Sequence, residues 1–102
     1  MQELKKQEFQ STIAKGNFVV DFWAPWCGPC KMMAPVFEET SKTHNEALFA
    51  KVNTDEEPEL STSLGIRGIP TLIFFRDGKE VARHVGYADK RVLEAKIKDV
   101  FR

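Results

Sequence analysis

Phe18-Val19-Val20-Asp21-Phe22-Trp23-Ala24-Pro25-Trp26-Cys27-Gly28-Pro29-Cys30-Lys31 is the stretch that decides the fold. Its first seven residues are β-branched and aromatic at alternate positions on both faces, the pattern of a central strand covered on both sides. Asp21 is the one discordant residue. From Pro29 onward the period changes to helical: Met33, Phe37 and Thr40 share a face with Ala34 and Ser41, and the segment runs to about His44. Pro35 lies inside it and predicts a kink, because its ring removes a backbone donor and crowds the preceding turn. A Cys-x-x-Cys pair therefore stands where a strand hands over to a helix.

Working outward, residues 2 to 5 read as a short strand, followed by a helix carrying Phe9 and Ile13 four apart. Leu48-Phe49-Ala50-Lys51-Val52-Asn53 reads as a second internal strand. The acids of Thr54-Asp55-Glu56-Glu57-Pro58-Glu59 are expected to cap a short helix, complementing the positive end of its dipole, and Gly65 stops it. Asp77-Gly78 between Thr71-Leu72-Ile73-Phe74-Phe75 and Glu80-Val81-Ala82-Arg83-His84-Val85 predicts a β-hairpin. A last helix starts at an Asp89 cap, with Leu93, Ile97, Val100 and Phe101 at helical spacing. Strand, helix, strand, helix, strand, helix, hairpin and helix make an α/β sandwich around a mixed sheet.

The chain has 102 residues, so residues 1–102 are read as one globular domain. Fifteen basic residues balance fifteen acidic ones, and no global field recruits nucleic acid or anionic lipid. The charged start, Met1-Gln2-Glu3-Leu4-Lys5-Lys6, holds no apolar leader segment, and no run approaches the roughly 18 apolar residues of a membrane span. The expected location is the cytoplasm. Two cysteines exclude a disulfide-stapled secreted scaffold.

The chemistry lies in the cysteines. At a helix N-terminus the first of them meets unpaired backbone amides and the positive dipole end, which stabilise a thiolate and lower its pKa below the free value of roughly 8.5. Cys27 is thus activated without a histidine and is expected to be exposed. Cys30, one turn further in, is close enough to close a small disulfide and is expected to be shielded.

Val20-Asp21-Phe22-Trp23-Ala24, Trp26-Cys27-Gly28-Pro29-Cys30-Lys31, Pro35, Gly68-Ile69-Pro70-Thr71 and Val85-Gly86 together resemble the thioredoxin family, in order and over nearly the whole chain. The resemblance implies a five-stranded mixed sheet flanked by four helices, and reduction of protein disulfides by dithiol–disulfide exchange. It implies a cis Ile69-Pro70 bond facing the cysteines, and a flat apolar docking surface of Trp26, Gly28, Pro29, Ile69, Pro70 and Gly86. It also implies disulfide-containing protein substrates and an NADPH-dependent flavoprotein thioredoxin reductase as electron donor, with no cofactor held by the chain itself and a monomer as the working form. The Gly28-Pro29 pair between the cysteines carries no charge and one fewer amide donor, which favours a reductant over an oxidant. Thr54, where the family commonly has an apolar residue, and Tyr87, where it commonly has a small one, depart from the pattern and bear on substrate preference.

Asp21 interrupts a buried strand, so burial should raise its pKa unless a cation lies near, and Lys51 on the neighbouring strand is the expected partner. Two readings stand side by side: a structural buried ion pair, or a carboxylate behind Cys30 that takes its proton as a mixed disulfide resolves. Three rival functions compete with exchange chemistry. A zinc site needs four ligands, and beyond the cysteines there are only His44 and His84, forty residues apart. A Cys-His hydrolase fails because both histidines are expected on the solvated surface, far from the motif. A non-catalytic binding subunit would not need both thiols. Met32 and Met33 read as helix packing.

Overall fold

A computed structural model describes residues 1–102. The elements in chain order are β1 (Gln2–Glu3), α1 (Lys6–Ile13), β2 (Asn17–Trp23), α2 (Gly28–Thr43), β3 (Leu48–Asn53), α3 (Pro58–Ser63), β4 (Thr71–Arg76), β5 (Lys79–Val85) and α4 (Lys90–Val100). The sheet runs β1-β3-β2-β4-β5. β1, β3 and β2 are mutually parallel where they pair, while β4 is antiparallel to both β2 and β5. The five-stranded mixed sheet with four helices is the fold that the sequence and the resemblance imply.

The alternation within β2 explains the two layers. Phe18, Val20 and Phe22 enter a core with Phe9 and Ile13 of α1 and Leu60 of α3, whereas Val19 joins Met33 and Phe37 of α2 and Leu93 and Ile97 of α4. Full burial of each such side chain contributes roughly 1.5–3 kcal/mol. Phe9 meets Phe75 edge-on with ring centres 5.6 Å apart, the arrangement that the ring quadrupoles favour. Met33 is fully buried but Met32 is 63% exposed, so only the first of the two packs as expected.

The helix ends follow local chemistry. Asp89 accepts the Val92 N–H at 2.9 Å. α3 closes in a Schellman motif: Gly65, at φ +69°, donates to Thr62 O, and Ile66 donates to Ser61 O. Asp77 and Gly78 both take positive φ, as a type I′ hairpin requires. α2 continues through Pro35 as one helix to Thr43. Glu59 stands in the first turn of α3, where its charge complements the helix dipole, but the N-cap Glu57 makes no side-chain cap bond, and the acids also bind elsewhere. Glu57 accepts the Lys6 backbone N–H at 2.8 Å, and Glu56 and Glu59 pair with Lys5 and Lys6, so the run ties the start of α3 to the start of α1.

His44 also departs from expectation. It is buried, with Nε2 2.9 Å from Glu94 and Nδ1 3.3 Å from Glu46, joining the end of α2 to α4. The hydrogen bond to Glu94, with that to Glu46 behind it, holds its pKa above the ordinary value. No helix is long and apolar enough to cross a membrane.

Candidate active site

The central strand β2 delivers its last residues to one end of the sheet, and the chain turns there, with Cys27 N–H donating to Ala24 O at 3.2 Å. Cys27 has extended backbone (φ −85°, ψ 113°) and is the N-cap of α2, with Gly28 and Pro29 in the first turn. Proline fits there because its missing N–H would have no intrahelical acceptor. Cys27 and Cys30 form a disulfide, with Cα atoms 5.2 Å apart. The Cys27 Sγ accepts the Cys30 backbone N–H at 3.2 Å, so the cap that other helices take from an oxygen comes here from the reactive sulfur. Such an amide stabilises negative charge on that sulfur once the disulfide is opened.

The two cysteines are equally covered, 4% and 3% exposed, which corrects the expectation of an exposed Cys27. Ala24, Trp23 and Ile69 pack around the pair. The asymmetry between the sulfurs lies in position instead. Cys27 sits at the helix mouth with Sγ 3.8 Å from the Ile69 carbonyl oxygen, while Cys30 lies within the first turn.

Opposite the pair, Ile69-Pro70 is cis, and Pro70 O accepts the Gly86 N–H at 2.7 Å. Gly86 holds φ +98°, a conformation that favours glycine. Trp26 is 68% exposed, with its indole N–H donating to Asp55 at 3.2 Å. Between Trp26 and Ile69 runs a shallow groove of about 200 Å³, lined also by Thr54, Ile66 and Arg67. Thr54 spends its hydroxyl on Trp23 O at 3.0 Å, so the polar group is satisfied internally. Tyr87 stands half-exposed next to Gly86. A separate recess of about 320 Å³ by Met1, His44 and Leu48 is lined by neither cysteine.

Asp21 is fully buried, and neither carboxylate oxygen has a hydrogen-bond partner. It shares a face of β2 with Val19, which packs on α2, and with Trp23, which packs on the cysteines, so it points to the layer that carries the dithiol. Burial pushes its pKa up to about 7, with Lys51 opposing and Glu3 adding to the shift. The expected Asp21–Lys51 ion pair does not form. Lys51 is in register with Asp21 on β3, but its ammonium lies over the Trp23 ring, 4.6 Å from the centroid. A cation there keeps contact with water and an aromatic face, while a fully buried pair would lose hydration. Sequence reasoning missed Asp55, whose acid run reads as a cap, and Glu3, whose only signal is its place in β1.

A strand-to-helix junction bearing a reversible disulfide, flanked by a cis-proline loop and a buried carboxyl group, defines a thiol–disulfide oxidoreductase. The family model described as Thioredoxin matches residues 1–99. The chain is 51% identical over 101 residues to a thioredoxin of Alicyclobacillus acidocaldarius, covering 97% of this chain and 96% of that protein. It is 49% identical over 84 residues to a thioredoxin of Chlamydia caviae, covering 82% of each. It is 41% identical over 95 residues to a thioredoxin of Listeria monocytogenes, covering 92% of each. The chain belongs to the thioredoxin family, and its activity is protein-disulfide exchange through Cys27 and Cys30.

Proposed function

We propose that the protein reduces protein disulfides in two steps with fixed roles for its sulfurs. The Cys27 thiolate attacks one sulfur of a substrate disulfide, forming a mixed disulfide and releasing the other sulfur as a thiolate. Cys30 then gives its proton to Asp21 and attacks the Cys27 sulfur; the substrate leaves with both sulfurs reduced, and the Cys27–Cys30 disulfide closes. The observation that carries this assignment is the Cys30 N–H on the Cys27 sulfur at the helix mouth. A carboxyl group titrating at about 7 is suited to accepting a proton near neutral pH. Lys51 tunes that carboxyl from over Trp23.

Trp26, Gly28, Pro29, Ile69, Pro70 and Gly86 form the docking face. Two electrons and the protons return from NADPH through a thioredoxin reductase. Residues 1–102 act as one domain and as a monomer. The cytoplasm, a reducing compartment, suits a chain whose only cysteines are the exchanging pair.

The test is capture. Cys30→Ser should accumulate a covalent adduct with a disulfide protein on a non-reducing gel, and Cys27→Ser should not. Adducts forming equally with both variants would overturn the assigned roles.

A further inference from the structure

We propose that Glu3 is a positioning residue for the proton-transfer step: it anchors Trp23, and Trp23 in turn holds the Lys51 ammonium away from Asp21. This rests on the reading of Asp21 as the proton acceptor. Glu3, Lys51 and Asp21 are register partners across β1, β3 and β2, so the three side chains emerge in one row on the same face of the sheet. Trp23, two residues beyond Asp21 on the same strand, occupies the next position on that face. Its indole N–H donates to the Glu3 carboxylate at 3.4 Å, and its ring carries the Lys51 ammonium at 4.6 Å.

The arrangement explains why Asp21 has no partner although a lysine stands beside it in register. Lysine has a long flexible stem and could lean toward the buried carboxylate. A ring fixed by Glu3 offers it a face nearer to water, and a carboxylate at the ring edge adds attraction on that side. The other groups around Asp21 do not compete. Cys27 and Cys30 come from α2, Leu72 is its apolar neighbour on β4, and His84, beyond Leu72 in the same row, lies 3.4 Å from the Tyr87 carbonyl oxygen. Glu3 also acts directly in the same sense, since a second negative charge makes Asp21 harder to ionise. Removing the Glu3 side chain, and with it both the charge and the acceptor for the indole N–H, should therefore ease ionisation of Asp21 by both routes.

The experiment follows the Asp21 carboxyl carbon by NMR through a pH titration of the oxidised protein, in wild type, Glu3→Ala and Trp23→Phe. In parallel, the second phase of thiol release from an aromatic disulfide reagent reports how fast Cys30 resolves the mixed disulfide. Glu3→Ala should lower the Asp21 midpoint by roughly half a pH unit, about threefold in the ionisation constant, and Trp23→Phe, which keeps a ring but loses the N–H, should lower it similarly. The low-pH limb of the resolving rate should move down with it. Glu3 is exposed, so its variant tests the idea even if Trp23→Phe folds poorly. An unmoved midpoint in Glu3→Ala overturns the proposal, and a shift in Glu3→Ala without one in folded Trp23→Phe overturns the anchoring route. A midpoint that moves while the resolving rate keeps its pH profile leaves the positioning intact and overturns Asp21 as proton acceptor.

Discussion

Replacing Asp21 by Asn should stabilise the protein at neutral and alkaline pH, by an amount that grows as pH rises. The carboxyl group has an ordinary value of 3.8 and titrates at about 7 in the fold, so between those values the folded protein holds a proton that the unfolded chain has released. Stability linked to a raised carboxyl is full at the acid end and falls as pH rises through the folded value. A gap of about three pH units is worth roughly 4 kcal/mol at about 1.4 kcal/mol per unit. The buried amide of the variant also lacks partners, which offsets about 1 kcal/mol or more. The expected net change is a gain of about 2–3 kcal/mol near pH 8 and a loss of about 1 kcal/mol near pH 4, where only the amide's cost remains. For a domain of this size the gain corresponds to a rise in Tm of about 4–8 °C per kcal/mol. Urea unfolding of both oxidised proteins, followed by the fluorescence of Trp23 and Trp26 at several pH values, gives the difference directly. Two stability curves that run parallel from acid to alkaline pH would refute the reasoning, because no proton would then be linked to folding through Asp21.

Opening the disulfide should lower stability by about 2 kcal/mol through the entropy of a four-residue loop in the unfolded chain, seen as a lower urea midpoint with reductant present. His44→Gln should destabilise by roughly 1–2 kcal/mol at acid pH, where the imidazolium bridges Glu94 and Glu46. Because the folded His44 value is raised, that contribution is full below 6.5 and disappears as pH climbs through the folded value, so the melting temperatures of variant and wild type should converge in alkali.

What was legible in the sequence was what local pattern controls. The doubly covered β2, the Cys27 cap, the Asp77-Gly78 turn and the Asp89 cap all rest on residues a few positions apart, and each stands where its pattern puts it. The cis state of Ile69-Pro70 was accessible only through the family resemblance, because composition around a proline does not set its isomer. Misread features depend on partners some fifty residues away: Glu94 turns His44 from a surface residue into a buried bridge, and Lys5 and Lys6 draw the acids of α3 into pairs with the start of α1. Lys51 stands on the right strand in the right register, yet where its flexible stem ends depends on Trp23. The burial of Cys27 likewise depends on a distant loop, since Ile69 packs against its cluster from 42 residues away.

The reactive bond joins two residues one helical turn apart, and the loop that borders it comes from a single side, through Ile69, Pro70 and Gly86. The molecule therefore offers one berth. On the roles proposed above, an electron donor and an oxidised client both need the same sulfur and cannot be seated together, so electrons would pass between them only when the small protein leaves one and travels to the other. Throughput is then a matter of traffic, set by how many copies circulate and how long each stays moored.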